Sequence, residues 1–245
     1  MSVEYRHDAF APPRAARVPA PEAPEAPALR FEIAWLDPQG RARWDDLRLP
    51  AGPAAEDAVA LLASGTPVET PRGAVAVEDL IPGDRVRTVE GSATVTWIGR
   101  RLHHAAGPRP TLLRVGAGAF GRDRPEGHVV LGGAAHMRVE GPRCRPLVGG
   151  DAALAPVASL VDSLGVVAVR PPGDVATYGI ACEGAATLLC AGLPVAAYHP
   201  ARDMMRRLTP AALEDMARLI PPLASGMGSA RLPYLSATEA RMLSA

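Results

Sequence analysis

Lysine and asparagine are absent from this 245-residue chain, and Gln39 is its one glutamine. All 26 basic side chains are therefore arginine, and they face 26 acidic ones, so the formal net charge is zero. That balance argues against the electrostatic footprint of a nucleic-acid or anionic-membrane binder. Heavy Ala, Arg, Gly and Pro usage without Lys or Asn is what a GC-rich genome writes, and carries no functional meaning by itself. Cysteine is scarce: Cys144, Cys182 and Cys190. An odd number without metal-ligand spacing implies neither a disulfide framework nor a zinc site, so these are expected to be buried small apolar groups. No window approaches the roughly 20 apolar residues that cross a bilayer. The start of the chain, with Glu4, Asp8 and dense proline, does not read as a secretory signal. The expectation is a soluble protein, cytoplasmic by default, with export through a C-terminal signal left open.

What is present is 48% hydrophobic residues, enough for one sizeable core with an appendage or two. Residues 1–28 form a Pro/Ala-rich leader (Pro19 to Pro27 alternate with Ala and Glu) that favours extended, unpaired backbone. Residues 29–60 read as a β hairpin and a linker. Arg30 to Leu36 and Trp44 to Leu49 are the two strands, and Asp37-Pro-Gln-Gly40 is a type I turn. Glu56 to Leu62 reads as a short helix or strand leading onward. Residues 61–200 carry many short β-rich runs separated by Gly and Pro, which argues for a mainly β domain rather than alternating βαβ units. Over 201–245 the pattern turns helical. Thr209 stands as an N-cap ahead of Pro210, with Leu213, Met216, Ala217 and Ile220 on one face. Ser236-Ala-Thr-Glu239 is a capping box.

The most informative stretch runs from Gly65 to Thr88. Pro71-Arg72-Gly73 is a turn between two apolar-alternating runs, and Pro82-Gly83-Asp84 is a second turn in which Gly83 takes positive φ. Thr94 to Arg101 is again strand-like. The sequence Gly65-Thr-Pro-Val-Glu-Thr-Pro-Arg-Gly73, then Val77-Glu-Asp-Leu80, Pro82-Gly-Asp84 and Trp97-Ile-Gly-Arg100 resembles the opening block of the hedgehog/intein (Hint) domains of bacterial proteins. The resemblance implies a β disc of short strands with pseudo-twofold character. It also implies a self-processing reaction: a cysteine at the start of the domain attacks its own preceding carbonyl, a Ser/Thr-x-x-His motif binds the peptide, and the His protonates the released amine.

Carried over position by position, the resemblance finds little chemistry left. The nucleophile belongs four residues before Gly65, at Leu61, and leucine cannot attack a carbonyl. His136 matches the motif histidine, but its hydroxyl partner falls on Gly133. Ala191-Gly-Leu-Pro194 matches a later motif, and from it two further histidine positions fall on Gly179 and Ala185. Asn cyclisation has no substrate in a chain without asparagine. Two readings follow. In the first, the chain is a structural or protein-interaction module on a Hint-like fold, with an unidentified protein partner and neither nucleic acid nor membrane. In the second, a displaced nucleophile, Ser64, attacks the Ala63–Ser64 peptide bond and His136 acts as general acid. No cofactor or metal is expected: His103, His104 and His128 are the one histidine set with any ligand character, and His103-His104 beside Arg100-Arg101 reads as a solvated loop.

Overall fold

The structure, a computed structural model, describes residues 27–200, 207–225 and 232–244. The expected leader lies almost wholly outside the described residues, and so do parts of the expected helical tail. The opening hairpin joins β1 (Ala28–Leu36) to β2 (Ala42–Pro50). Its turn is organised by Asp37, whose carboxylate accepts from the N–H groups of Gln39 and Arg41 at 3.0 and 2.9 Å. The Arg41 N–H, with the guanidinium groups of Arg41 and Arg43, holds the Asp37 carboxyl down at about 2.

Helix α1 (Pro53–Ala58) begins on a proline in its first turn. The short strand β3 (Leu62–Ala63) follows, then a separate two-stranded hairpin of β4 (Pro67–Thr70) and β5 (Gly73–Ala76). The turn after it is the expected one: Gly83 has φ +100°, and the Asp84 carboxylate accepts from the Ile81 N–H at 2.9 Å. Strands β6 (Arg85–Thr88), β7 (Gly91–His103), β8 (Leu112–Val115), β9 (Val129–Gly132) and β10 (His136–Glu140) come next. The one-turn helix α2 (Arg145–Val148) leads to β11 (Ala152–Pro156), β12 (Val166–Val169), β13 (Val175–Cys182), β14 (Thr187–Cys190) and β15 (Leu193–Ala196). Helices α3 (Pro210–Leu219) and α4 (Ala237–Ser244) close the chain. The architecture is mainly antiparallel β with a short helical C-terminal tail, as expected from the sequence.

Thirteen strands form one highly twisted sheet. Its two wings meet in β7. The first residues of β7, Gly91 to Thr94, pair with β6. From Val95 onward it pairs with β13, past a register shift at Ala181/Cys182. Strand β13, Val175-Ala-Thr-Tyr-Gly-Ile-Ala-Cys182, is buried on both faces, so it lacks the alternation that marks a half-buried strand. Strand β1 pairs with β7, which joins the opening hairpin to this same sheet and places Phe31, Ile33, Leu47 and Leu49 in the main core. Helix α3 covers that core with Met216, Leu219 and Ile220, and the Trp97 Nε1–H donates to the Leu219 carbonyl at 2.7 Å. Thr209 caps α3 by accepting from the Ala212 N–H at 3.2 Å. Ser236 and Glu239 form the reciprocal capping box of α4, which packs Ala240 on Ala153 and Ala155 of β11.

Candidate functional site

Leu61 lies between α1 and β3, and its side chain is buried in the main core. Every backbone group around it is hydrogen-bonded. The Leu61 N–H donates to Tyr178 O at 3.0 Å, and Leu61 O accepts from the Gly132 N–H at 2.9 Å. The preceding carbonyl, that of Ala60, accepts from the Ala134 N–H at 3.0 Å. The Ala60–Leu61 peptide is thus held in strand-like bonding between β13 and the β9–β10 turn. Leu61 and the segment leading to His136 are brought together.

The glycines at this site leave room for the incoming chain. A β-carbon on Gly132 would stand 2.0 Å from Ala60 O, and one on Gly179 would stand 1.9 Å from Ala58 O. One on Gly133 would meet Thr111 O at 2.9 Å. Gly179 pairs with Gly99 across β13 and β7, and a β-carbon on Gly99 would run into the Trp97 ring at 2.3 Å and Val59 at 2.8 Å. Two opposed glycines therefore form a flat floor that carries the Trp97 ring, the Ala58 backbone and the Val59 side chain. Gly99 stands in the motif Trp97-Ile-Gly-Arg100 and Gly132 beside Gly133, but which groups approach them is a tertiary fact.

His136 opens β10. Its Nδ1–H donates to Ala134 O at 2.9 Å, and its ring meets Tyr234 edge-on with centroids 5.1 Å apart. Burial pushes its pKa below the ordinary histidine value, partly offset by the Ala134 hydrogen bond. Ser64 is exposed in the turn after β3, where its N–H donates to Ala176 O at 3.0 Å. The Ala63 carbonyl that it would attack accepts from the Thr66 N–H at 3.1 Å, and the Thr66 hydroxyl lies 2.7 Å from it. Ala185 lines a cavity of about 20 Å³ with Glu90, Thr187, His199 and Tyr234 among its walls. His199 and Tyr198, both buried, had no sequence signal beyond their type. The Tyr198 hydroxyl is buried without a hydrogen-bond partner among the described residues, and burial, with Tyr234 and Asp57 nearby, raises its pKa.

The remaining candidates are separate. Cys144, Cys182 and Cys190 are buried free thiols, and burial pushes Cys182 and Cys190 up to about 12. His103 Nε2 lies 3.0 Å from the Thr177 hydroxyl, while His104 pairs with Asp174. Among the described residues no three metal-ligating side chains converge.

A family model described as "Hint domain" matches residues 61–202. Among solved structures the MchDnaB-1 intein is similar at 16% identity, covering 56% of this chain and 99% of that one, with a TM-score of 0.35. No curated protein matches. No helix among the described residues is long and apolar enough to cross a membrane.

Proposed function

The chain belongs to the Hint domain family, and from that premise we propose that it is a member without self-cleavage, serving as a structural or protein-interaction module. One observation carries this reading: the segment that cleavage would detach is built into the core. Phe31, Leu49, Ala55, Ala58 and Val59 are buried in the main cluster, and β1 is hydrogen-bonded to β7. Severing the chain at Ala60–Leu61 would separate these groups from the rest of the core covalently without freeing them. Each large apolar side chain so buried stabilises the fold by about 1.5–3 kcal/mol, so the segment acts as part of the domain rather than as a passenger.

The local chemistry supports the same reading. Acyl transfer at Ala60 needs a nucleophile at 61 and a donor poised for the developing oxyanion. Leu61 supplies no nucleophile, and Gly133, Gly179 and Ala185 supply no side-chain donor or acid. Of the four, Gly179 leaves the space that the upstream Ala58 carbonyl fills, while Gly133 faces the Thr111 carbonyl.

Intact-mass measurement of the purified full-length chain, incubated with hydroxylamine or a thiol, tests the proposal. The expected result is the uncut mass. A fragment beginning near Ser64, lost in Ser64→Ala, would overturn it and assign instead autoproteolysis by Ser64 with His136 as general acid.

A further inference from the structure

Strand β2 forms an edge of the main sheet: among the described residues it pairs with β1 and no other strand. Its free side can be read from the bonds at both ends of the hairpin. Asp37 N–H donates to Arg41 O at 2.9 Å, and Ala51 N–H donates to Pro27 O at 3.0 Å. Both belong to the register Leu36↔Ala42 through Ala28↔Pro50. Because hydrogen-bonded pairs alternate along an antiparallel ladder, the odd residues of β2 turn their backbone toward β1. The N–H and C=O groups of Ala42, Trp44, Asp46 and Arg48 therefore point outward; the Asp46 N–H donates to the carboxylate of its own neighbour, Asp45 Oδ1, at 2.8 Å, a bond that pairing across this edge would exchange for one in the ladder. Trp44, at the centre of this edge, is 66% exposed.

We propose that β2 is a homodimerisation edge, and that its occupant is the β2 strand of a second copy, antiparallel across a twofold axis at Trp44. In this register Trp44 exchanges backbone bonds with Trp44 of the second copy, and Ala42 with Asp46. Outward-facing groups then meet outward-facing groups. The two indoles lie side by side on one face as a cross-strand aromatic pair. On the other face Arg43 of each copy stands opposite Asp45 of the other.

Charge selects this register. A slip by two residues in the sum of paired positions sets Asp45 against Asp45 in one direction and Arg43 against Arg43 in the other. A further slip opposes Asp46 with itself, and the next brings Pro50, which has no N–H, opposite Trp44. Alternating charge on an edge strand ordinarily blocks pairing; here it disfavours the registers on either side of the matched one, and Pro50 disfavours the one beyond. A five-residue ladder with one aromatic pair makes a weak dimer, formed by continuing the sheet from one copy into the next.

The test is sedimentation velocity on the full-length chain, with far-UV circular dichroism confirming that each variant is folded. The wild type should show a concentration-dependent monomer–dimer equilibrium. Asp45→Arg alone should be monomeric, because two arginines then oppose each other; Arg43→Asp alone should be monomeric for the converse reason. Mixed in equal amounts, these two variants should form a heterodimer. Trp44→Ala should weaken the wild-type dimer at least ten-fold. A wild type that stays monomeric up to the millimolar range overturns the proposal. So does a dimer indifferent to Asp45→Arg and Trp44→Ala, which would lie on another surface.

Discussion

The carbonyl oxygen of Ala58 sits 1.9 Å from the point where Gly179 would carry a β-carbon. Any side chain at 179 and the observed path of residues 58–60 are mutually exclusive. The same holds for Ala60 and Gly132, at 2.0 Å. In this chain the glycine at position 179 and the close approach of the upstream segment require each other.

Gly179→Ala and Gly132→Ala should each destabilise the protein by about 3 kcal/mol, the upper end of the usual overpacking cost, since the obstructing atoms belong to hydrogen-bonded backbone that cannot swing aside. Gly150→Ala, where nothing lies within 4 Å, should cost far less. Urea denaturation of the three variants measures the contrast; equal costs would mean that the path of residues 58–60 is plastic.

Leu61→Cys should leave the chain intact. The thiol would enter a buried site, and the positions that the resemblance assigns to its partners, Gly133, Gly179 and Ala185, carry no acid or base. Mass spectrometry after prolonged incubation with hydroxylamine should show one uncut species, whereas cleavage at position 61 would mean that the backbone alone activates the Ala60 carbonyl.

Trp97→Phe should cost about 1–3 kcal/mol. It removes the Nε1–H bond to the Leu219 carbonyl and leaves that buried acceptor unsatisfied. Because this bond ties α3 to β7, hydrogen exchange should quicken over Pro210–Leu219 more than in β13.

Tyr198→Phe should be neutral or stabilise by up to ~1 kcal/mol, the opposite of the usual core substitution. The hydroxyl it deletes is buried without a hydrogen-bond partner among the described residues, while the ring keeps its packing on Trp97, 5.9 Å away between centroids. A thermal-melt series decides it, and a loss above about 1 kcal/mol would reveal an ordered water on the hydroxyl.

His103 links stability to pH. Burial, with Arg101 beside it, lowers its pKa to about 4. An unfolded histidine titrates near 6.5, so between these values the unfolded chain holds the extra proton. Stability is therefore complete above about pH 6.5 and falls as pH drops toward about 4. His136, also lowered by burial, acts in the same direction. Urea midpoints between about pH 7 and pH 5 should decline, and His103→Gln should flatten that slope; an unchanged slope would assign the acid sensitivity elsewhere.

Local chemistry made much of the molecule readable without coordinates. The turns at Asp37–Gly40, Arg72–Gly73 and Gly83, the Thr209 cap and the Ser236–Glu239 box all depend on neighbours a few residues apart, and each stands where the residues put it. The absence of a nucleophile at 61 and of side-chain chemistry at 133, 179 and 185 is likewise a property of the sequence. Strand β13 was not readable, because a strand covered on both faces has no polar side to announce it. What the tertiary structure alone decided is why those positions are glycine and what surrounds them. Residues 58–60 approach β13 and β9 from more than seventy positions away along the chain. Such close backbone contacts carry no side-chain signature beyond the missing β-carbon, so the tight fit of Ala58 on Gly179 exists only once the sheet has closed.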